Sequence, residues 1–564
     1  MAAPNSPSEE NLWDKIRDRV AKHPYLALTL AVLAALGPFL AKPFNIDDPL
    51  FIWAARQIQS HPLNPYGFDV NWYGTAEPMW SVTENPPLAS YYIALAAGVL
   101  NWSETALHFA FLLPAVAVIL GTHRLARRFC RHPMLAALLT LFTPAFLVSS
   151  TTVMCDVPML AFWIWAIVFW VEGMEQNNFG KLSGAGLLIA LTVLTKYYGI
   201  SLLPLLAVYA LIEKRGAGWW GACLLIPLAV VCEYQWATHA LYGRELFSQA
   251  VDYTGHAQGF FKIPQLAPGL TALIFTGGCV APAVFFAPLF WRTARLILIA
   301  FGIFGGGMIL EKYALPHHAE WAPVEFQTIF WMIGGAAVLT LAVTDVLRRR
   351  DSRSWLLMLW VAGTFLFTAF FNWTVNGRSI LPMVPAVGIL IVRRLEQNAL
   401  AGRKNSPREA VICLAASALL ALLVARADFL LAVAVRQSAQ QVCAKYGQKQ
   451  GALWFQGHWG FQYYMDELGA SAMNIGRSAL KSGDTLAMPA NNTNLLPLNS
   501  ETVALRETFV IPGPRLLTTG NIRTGAGFFY APIRLMLPFV FDRVPPESVA
   551  VYVRKIAAPT PAKN

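Results

Sequence analysis

Runs of roughly 20 apolar residues, separated by short basic segments, limit the fold of this chain more than any other feature. Hydrophobic residues make up 56% of its 564 residues, and charged residues make up only 13%. A soluble protein carries about 25% charged residues, so its core could not absorb such an excess of apolar side chains. We therefore predict an all-α polytopic membrane bundle of about 13 transmembrane helices.

Basic residues predict the orientation of this bundle. Lys15, Arg17, Arg19 and Lys22 precede the first span, and the positive-inside rule places that end in the cytoplasm. The segments between later spans are also basic, so cytoplasmic loops account for the net charge of +11 and no nucleic-acid partner is expected. Single spans are predicted at about these residues: 24–42, 106–122, 133–150, 156–172, 219–237, 269–291, 296–312, 325–347, 354–373, 378–393 and 409–433.

The stretch GAGLLIALTVLTKYYGISLLPLLAVYALIEKR is too long for one span and short for two. Both of its flanks look cytoplasmic, because Lys181 lies before it and Lys214 close to its end. Two short helices that meet near Lys196, Tyr197 and Tyr198 fit this pattern best.

Two domains are predicted, with residues 1–436 forming the transmembrane domain, including a large outer loop at 43–105, and residues 437–564 forming a small extracytoplasmic α/β domain. In the second domain, GALWF and DTLAMP favour strands and FQYYMDELGA favours a short helix. An aromatic cluster there predicts either the core of this domain or a sugar-binding surface: Trp454, His458, Trp459, Tyr463 and Tyr464.

Three acids lie at predicted outer ends of spans. Asp47 and Asp48 follow the first span, and Asp156 begins another. Ionisable groups at such positions usually face protein or a water-filled cavity, and repulsion within a pair raises at least one pKa. That arrangement favours proton abstraction from an alcohol or amine. The alternative is that these acids cap helices, since Pro49 and Pro158 follow them in first turns.

Further polar and cationic residues fall on the same side. Glu84 and Asn85 precede a proline pair that predicts a helix start, and Tyr91 follows in that helix. Lys196 lies well inside an apolar stretch, where it either snorkels to the interface or faces a cavity. Arg378 is predicted on the outer side, against the positive-inside bias, as an anion-binding group or a surface charge.

Carboxylates and cations gathered at one boundary of a helical bundle are compatible with two functions. One is acid–base chemistry on an anionic lipid, and the other is proton-coupled transport of a lipid-linked or anionic substrate by a secondary transporter or flippase. Transporters of the second kind are built from paired halves with broken spans at matching positions, and the sequence shows no such repeat. A non-catalytic assembly factor would leave the acids as caps.

The motifs NIDDPLFI, ENPPLASYYIAL, CDVPML, LTKYYG and GRSILPMVP together resemble the GT-C glycosyltransferases. The resemblance is greatest to the protein mannosyltransferases and their bacterial relatives of glycosyltransferase family 39, including the aminoarabinose transferases that modify lipid A. It covers residues 40–210 in motif order and extends more loosely, in the order of spans, to about residue 430. It implies a GT-C fold in a bacterial inner membrane and inverting transfer of a sugar, from a polyprenyl-phosphate carrier to a lipid, glycan or protein acceptor on the periplasmic face.

The resemblance also implies roles for individual residues. Asp48, or else Asp47, would be the general base, and Asp156 would orient the acceptor or assist the base. Lys196 and Arg378 would offset the charge of the phosphate leaving group. The donor or acceptor would be bound by the remaining candidates: Glu84, Asn85, Tyr91 and Tyr197.

One position departs from the family pattern. Relatives often carry a basic residue directly before the Pro-Pro-Leu run, where this chain has Asn85.

A divalent metal is compatible with the family but has no certain ligands in this sequence. The seven cysteines lack the spacing of a metal site or of a disulfide framework. His317, His318 and Glu320 share one predicted outer loop and are interpreted as loop polarity in preference to a metal or acceptor site.

Overall fold

The computed structural model describes residues 22–214, 216, 218–258, 266–291, 293–295, 323–402, 406–448, 451–531 and 535–555. The predicted span at 296–312 lies outside the described residues, as do His317, His318 and Glu320. The described residues are mostly helical, and strands are concentrated near the C-terminus.

The α-helices are numbered here in chain order: α1 (Pro24–Leu36), α2 (Asp48–Ser60), α3 (Met79–Val82), α4 (Leu88–Leu100), α5 (Glu104–Phe129), α6 (Pro133–Leu141), α7 (Pro144–Ser150), α8 (Asp156–Gln176), α9 (Phe179–Thr195), α10 (Leu202–Lys214), α11 (Leu225–Tyr242), α12 (Leu246–Gln258), α13 (Leu266–Cys279), α14 (Pro282–Phe290), α15 (Pro323–Arg349), α16 (Ser352–Leu366), α17 (Gly377–Ile380), α18 (Val384–Leu400), α19 (Pro407–Tyr446) and α20 (Trp459–Glu467). Short 3-10 or π turns extend five of them: Gly37–Phe39, Tyr197–Ser201, Trp219–Leu224, Phe367–Phe371 and Leu381–Met383.

Within the described ranges, seven helices are long and apolar enough to cross a membrane, or up to nine if each of two bent pairs is one span. The prediction of a helical membrane bundle is therefore confirmed. The predicted total of about 13 spans stays a prediction. The predicted first span at 24–42 corresponds to a helix shorter than a full crossing, since α1 and the turn that extends it cover Pro24–Phe39.

Two segments that were each predicted as a single span are sharply bent. α6 and α7 meet at 62°, and α13 and α14 meet at 84°. In each case a proline begins the second helix, Pro144 in α7 and Pro282 in α14, and a proline cannot donate the hydrogen bond that would continue the first helix. The Thr143 hydroxyl also accepts from the Phe146 N–H at 3.2 Å, which caps α7 as a separate helix.

The predicted break near Lys196 is confirmed. α9 ends at Thr195, Lys196 has extended backbone, and the 3-10 turn Tyr197–Ser201 leads into α10. Gly199 permits this turn to fold closely onto α9, because a Cβ there would lie 2.7 Å from the Thr192 carbonyl carbon. Lys196 thus lies at the shared end of the two helices, and α10 returns toward the start of α9, since Lys214 donates to the Asn177 side chain at 2.9 Å.

The end of the bundle opposite Lys196 is rich in paired basic residues. Arg124 and Lys181 lie 2.7 and 2.5 Å from Glu172, and Arg353 lies 3.0 Å from Glu175. We call this the basic end. The other end is called the domain end, because the C-terminal region packs there.

The C-terminal region contains the strands β3 (Leu453–Phe455), β4 (Ser471–Ala472), β5 (Thr485–Pro489), β6 (Val503–Ile511), β7 (Leu517–Thr518), β8 (Gly520–Asn521), β9 (Ala526–Gly527), β10 (Val540–Phe541) and β11 (Glu547–Arg554). Five of them form a mixed sheet in the order β4-β3-β5-β11-β6, and α20 lies between β3 and β4 in the chain. The strands predicted in GALWF and DTLAMP and the helix predicted in FQYYMDELGA are confirmed. The boundary at residue 436 stays a prediction, and the 40-residue helix α19 runs through it.

The predicted outer loop at 43–105 is folded. It contains α2, α3, α4 and an antiparallel hairpin of β1 (Asp69–Asn71) and β2 (Ala76–Pro78). The helix predicted after the proline pair is confirmed, since α4 begins at Leu88 directly after Pro87. α20 packs against α2, so the loop and the C-terminal region form one layer over the domain end.

Candidate functional site

Asp47 and Asp48 stand where the chain turns from the first span into α2. Asp47 occupies the N-cap position, but its side chain accepts no hydrogen bond from the helix. Asp48 accepts from the backbone N–H groups of Asn45 at 2.9 Å and Val153 at 2.8 Å, both of which lie outside α2. The interpretation of this pair as helix caps is therefore wrong. Asp48 instead ties the loop after α1 to the turn that precedes α8.

Asp48 is fully buried, and burial raises its pKa to about 7. The positive charge of Lys42 and the two backbone N–H donors act in the opposite direction, and the neighbouring Asp47 raises the pKa further. Desolvation of the charged form is the largest effect. Asp48 therefore holds a proton more readily near neutral pH than an exposed aspartate does.

Asp47 forms an ion pair with Arg378 at the start of α17. Its Oδ2 lies 2.8 Å from Arg378 Nη2, and the Asp47 side chain is 24% exposed while that of Arg378 is 11% exposed. Arg378 Nη1 lies 3.2 Å from the sulfur of Met154, and its guanidinium is 5.7 Å from the ring centre of Phe529. Arg378 is thus held between the turn before α8 and the C-terminal region.

Asp156 and Lys196 form a second ion pair. Asp156 is the first residue of α8, and its Oδ1 lies 2.6 Å from Lys196 Nζ. Its side chain is completely buried, whereas that of Lys196 is 23% exposed. The Oδ2 atom of Asp156 has no hydrogen-bond partner among the described residues. An electrostatic interaction with Arg378 connects this pair to the first.

These four residues form a row of alternating charge, Asp47–Arg378–Asp156–Lys196, which we call the charged row. Sequence reasoning placed all four on one side of the membrane, and the structure brings them together at the domain end. Only the two terminal members, Asp47 and Lys196, have side chains that are about a quarter exposed. A ligand that enters from the domain end therefore first meets the carboxylate of Asp47 and the ammonium group of Lys196.

The other predicted binding residues lie at different distances from the charged row. Asn85 is joined to it, because the Asn85 Oδ1 accepts from the thiol of Cys155 at 3.5 Å and Cys155 precedes Asp156. Glu84 is partly buried, and burial raises its pKa to about 7. The Tyr197 hydroxyl lies 3.0 Å from that of Tyr234.

Tyr91 contacts another part of the predicted outer loop, since its hydroxyl donates to the carbonyl of Pro62. The predicted role of Tyr91 in binding donor or acceptor stays a prediction.

Sequence reasoning missed a buried ion pair beside the site, between Lys42 and Asp428. Both side chains are 1% exposed. Lys42 also donates to the Thr151 hydroxyl at 3.3 Å, and Asp428 accepts from the Thr519 hydroxyl at 2.8 Å. The signal was present in the sequence, because Asp428 interrupts a long apolar run, where an ionisable group needs a partner.

No three His, Cys, Asp or Glu side chains within the described ranges come together as ligands for a metal ion. The divalent metal that the family resemblance allows stays a prediction. The predicted aromatic cluster of the C-terminal region is largely core, since Tyr463, Tyr464 and His458 are buried. His458 stacks on Trp72 of the outer loop with ring centres 4.8 Å apart.

One segment of the chain is similar to a known family. Residues 84–234 match the family model described as dolichyl-phosphate-mannose-protein mannosyltransferase. No curated protein matches the chain. Among solved structures, the oligosaccharyltransferase of Archaeoglobus fulgidus tethered with an acceptor peptide is 14% identical, with a TM-score of 0.47 over 81% of this chain and 64% of that chain. This chain thus spans just under two thirds of that protein.

A second solved structure, ArnT of Cupriavidus metallidurans bound to undecaprenyl phosphate, is 13% identical, with a TM-score of 0.43 over 95% of this chain and 98% of that chain. The matched segment 84–234 contains Glu84, Asn85, Asp156 and Lys196. The predicted resemblance to membrane glycosyltransferases of the protein mannosyltransferase type is confirmed, and it rests on that segment.

Proposed function

We propose that this protein is an inverting glycosyltransferase that moves a sugar from a polyprenyl-phosphate carrier to a lipid, glycan or protein acceptor at the extracytoplasmic membrane face. The observation that carries the proposal is the charged row, which places a partly exposed carboxylate and two cations at one end of the bundle. Such a set supplies both a proton acceptor and compensation for a phosphate.

The general base of this proposal is Asp47, with Asp48 as a supporting group. Asp48 was the first choice from the sequence, but it is fully buried and both of its oxygens accept backbone hydrogen bonds. Asp47 is exposed enough to reach an acceptor hydroxyl or amine. A base must come within hydrogen-bond distance of the proton that it removes, so access decides between the two acids.

Arg378 and Lys196 have donors to spare for the donor phosphate. An arginine carries five N–H donors and a lysine carries three, and each of these residues is paired with a single carboxylate oxygen in the charged row. The Nε of Arg378 has no hydrogen-bond partner among the described residues. A phosphate bound beside them would bring further negative charge to the cationic members of the row.

The proposed reaction forms one bond and breaks one. The acceptor oxygen or nitrogen attacks the anomeric carbon from the side opposite the phosphate, and its proton passes to Asp47. The bond between the anomeric carbon and the phosphate oxygen breaks, and polyprenyl phosphate leaves with its negative charge near Arg378 and Lys196. Attack from the opposite side inverts the anomeric configuration.

The orientation of the site is part of the proposal. Basic residues gather at the basic end, which includes Arg124, Lys181 and Arg353. The positive-inside rule assigns such an end to the cytoplasm and the charged row to the extracytoplasmic face of a bacterial inner membrane.

The test follows release of polyprenyl phosphate by mass spectrometry from synthetic polyprenyl-phosphate hexose, pentose and aminopentose. It uses the full chain in lipid nanodiscs with a membrane extract as the acceptor source. We expect Asp47→Asn to lower turnover by about 10²- to 10⁴-fold, the usual contribution of a general base. Glu501→Gln, at an exposed turn far along the chain, is the matched control. Turnover within twofold of wild type for both Asp47→Asn and Asp48→Asn would overturn the proposal.

The transporter alternative has one observation in its favour. The pairs α6–α7 and α13–α14 are bent, and transporters bind substrates at broken spans near the middle of the membrane. The charged row, however, lies at the ends of α8 and α9 and at the start of α17. Movement of an intact polyprenyl-phosphate sugar across a liposome membrane, without cleavage, would support the transporter in the same preparation.

A further inference from the structure

An open cleft of about 530 Å³ lies between α2 of the outer loop and α20 of the C-terminal region. We infer that it binds a non-anionic saccharide unit, neutral or amino-bearing, of the acceptor. This inference rests on the proposed function, because it names the kind of acceptor that the same outer face would hold. The residues that carry it are Trp53, Asp69, Gln462 and Asp466, all of which line the cleft.

An aromatic ring forms one wall of the cleft. Trp53 is partly buried, and its ring centre lies 6.0 Å from Trp72 and 6.4 Å from Tyr463. These two neighbours, one from the outer loop and one from the C-terminal region, hold the indole in place. A fixed indole that lines an open cleft offers an apolar face to the C–H groups of a pyranose ring.

A buried amide lies beside this ring with an unused acceptor. Gln462 is 2% exposed, and its Nε2 donates to the carbonyl of Asn71 at 2.8 Å. Its Oε1 accepts no hydrogen bond from any described residue. Buried polar atoms are nearly always satisfied in folded proteins, so an unpaired acceptor that lines a cleft indicates a ligand with hydroxyl or amine donors.

The charge of the cleft disfavours an anionic ligand. Arg56 also lines it, but that guanidinium is paired with Glu467 at 2.5 Å and lies over the rings of Trp102 and Tyr463. The carboxylates of Asp69 and Asp466 add negative charge to the cleft, although burial raises the pKa of Asp466 to about 7 and leaves it only partly ionised near neutral pH. A phosphate or uronate would be repelled, whereas a neutral or amino sugar would not.

The cleft and the charged row share one helix. α2 begins at Asp48, directly after Asp47, and Trp53 follows about 7.5 Å along the helix axis at 1.5 Å per residue. Ser60, at the end of α2, also lines the cleft, so the cleft follows the helix away from the row. A glycan held along α2 could thus place its terminal hydroxyl near Asp47.

The test is saturation-transfer NMR on the full chain in lipid nanodiscs, which avoids sugar-headed detergents. The probes are tri-N-acetylchitotriose, which is neutral, the chitosan trimer, which is cationic, and trigalacturonate, which is anionic. We expect the first two to bind and the third not to bind. Trp53→Leu should weaken binding about tenfold, whereas Trp236→Leu, at a side chain that is 73% exposed elsewhere, should not.

A second variant keeps the test valid if Trp53→Leu does not fold. Asp69→Asn with Asp466→Asn should weaken the chitosan trimer about threefold at low salt and leave the neutral trimer unchanged. The inference would be overturned if trigalacturonate bound as well as the other two trimers, or if neither of those two trimers bound. Asp47→Asn separates the two proposals, because it should stop transfer and leave binding intact. If Asp47→Asn still transfers the sugar and still binds the trimers, the proposed function is refuted and the saccharide site in the cleft is not.

Discussion

The buried pair of Lys42 and Asp428 allows a quantitative prediction about stability. Both side chains are 1% exposed, so Lys42→Met would leave the Asp428 carboxylate buried without a charged partner. Removal of one partner from a buried ion pair costs about 3–5 kcal/mol in other proteins. At about 1.4 kcal/mol per factor of ten, the unfolding equilibrium should shift by roughly 140- to 3,700-fold.

The double variant Lys42→Met with Asp428→Leu should recover most of this loss. Replacement of both partners by apolar groups removes the buried charges together, and such replacements are often neutral or stabilising. Two hydroxyl contacts are still lost, since Thr151 accepts from Lys42 and Thr519 donates to Asp428. Each lost contact costs about 1 kcal/mol, so the double variant should remain about 1–2 kcal/mol less stable than wild type.

The assay is reversible unfolding of the purified full chain in mixed micelles by titration with SDS, followed by tryptophan fluorescence. Lys445→Met is the matched control, because Lys445 pairs with Glu507 at 2.5 Å but is 50% exposed. Exposed pairs contribute about 0–1 kcal/mol, so this control should unfold almost as wild type does. A Lys42→Met protein that is as stable as the Lys445→Met protein would refute the reasoning. A double variant less stable than Lys42→Met would refute it too.

Two further predictions concern the charged groups near the site. Burial raises the pKa of Asp48 to about 7, above the value of about 3.9 for an unfolded aspartate. Between these two pH values the folded chain therefore holds a proton on Asp48 that the unfolded chain has lost. The contribution of Asp48 to stability falls as the pH rises from about 4 to about 7. The stability of Asp48→Asn relative to wild type should therefore rise from pH 5 to pH 8. An equal difference between the unfolding midpoints of the two proteins at pH 5 and at pH 8 would contradict this. Arg378→Lys keeps the charge beside Asp47 but loses the planar donor fork, so KM for the polyprenyl-phosphate sugar should rise about tenfold or more. An unchanged KM would remove Arg378 from the donor site.

The sequence pattern predicted local structure well and tertiary pairing poorly. The helix after Pro87, the break at Lys196 and the strands near the C-terminus follow from prolines, apolar length and alternation, which are local signals. The bends before Pro144 and Pro282 were visible as prolines, but a proline indicates a helix start without the angle between two helices.

Long-range contacts explain the remaining differences. Lys42 and Asp428 are 386 residues apart in the chain, and nothing near Lys42 in the sequence indicates which acid neutralises it. The accessibility of Asp47 compared with that of Asp48 also depends on distant segments. Val153 supplies one of the two backbone donors that enclose Asp48, and Arg378 leaves part of Asp47 open to solvent.

The C-terminal region is a structural part of the site and more than an appended domain. Thr519 donates to Asp428 of the buried pair, and the carbonyl of Phe528 accepts from the N–H of Gly377 at the start of α17 at 2.7 Å. Phe529 lies against the guanidinium of Arg378. A chain without these residues would lose an apolar cover over Arg378, and with it part of the low-dielectric setting in which a cation acts strongly on a phosphate.

The same region also fixes the outer loop that carries Asp47. The Tyr464 hydroxyl accepts from the N–H of Phe44 at 2.8 Å and donates to Glu104 at 2.5 Å, which joins α20 to both sides of that loop. At Gly460 the two backbones approach so closely that a Cβ would lie 2.5 Å from the carbonyl oxygen of Phe44. Phe44 lies three residues before Asp47, so displacement of α20 would move the start of α2. The position of the proposed base therefore depends on a helix that lies more than 400 residues later in the chain.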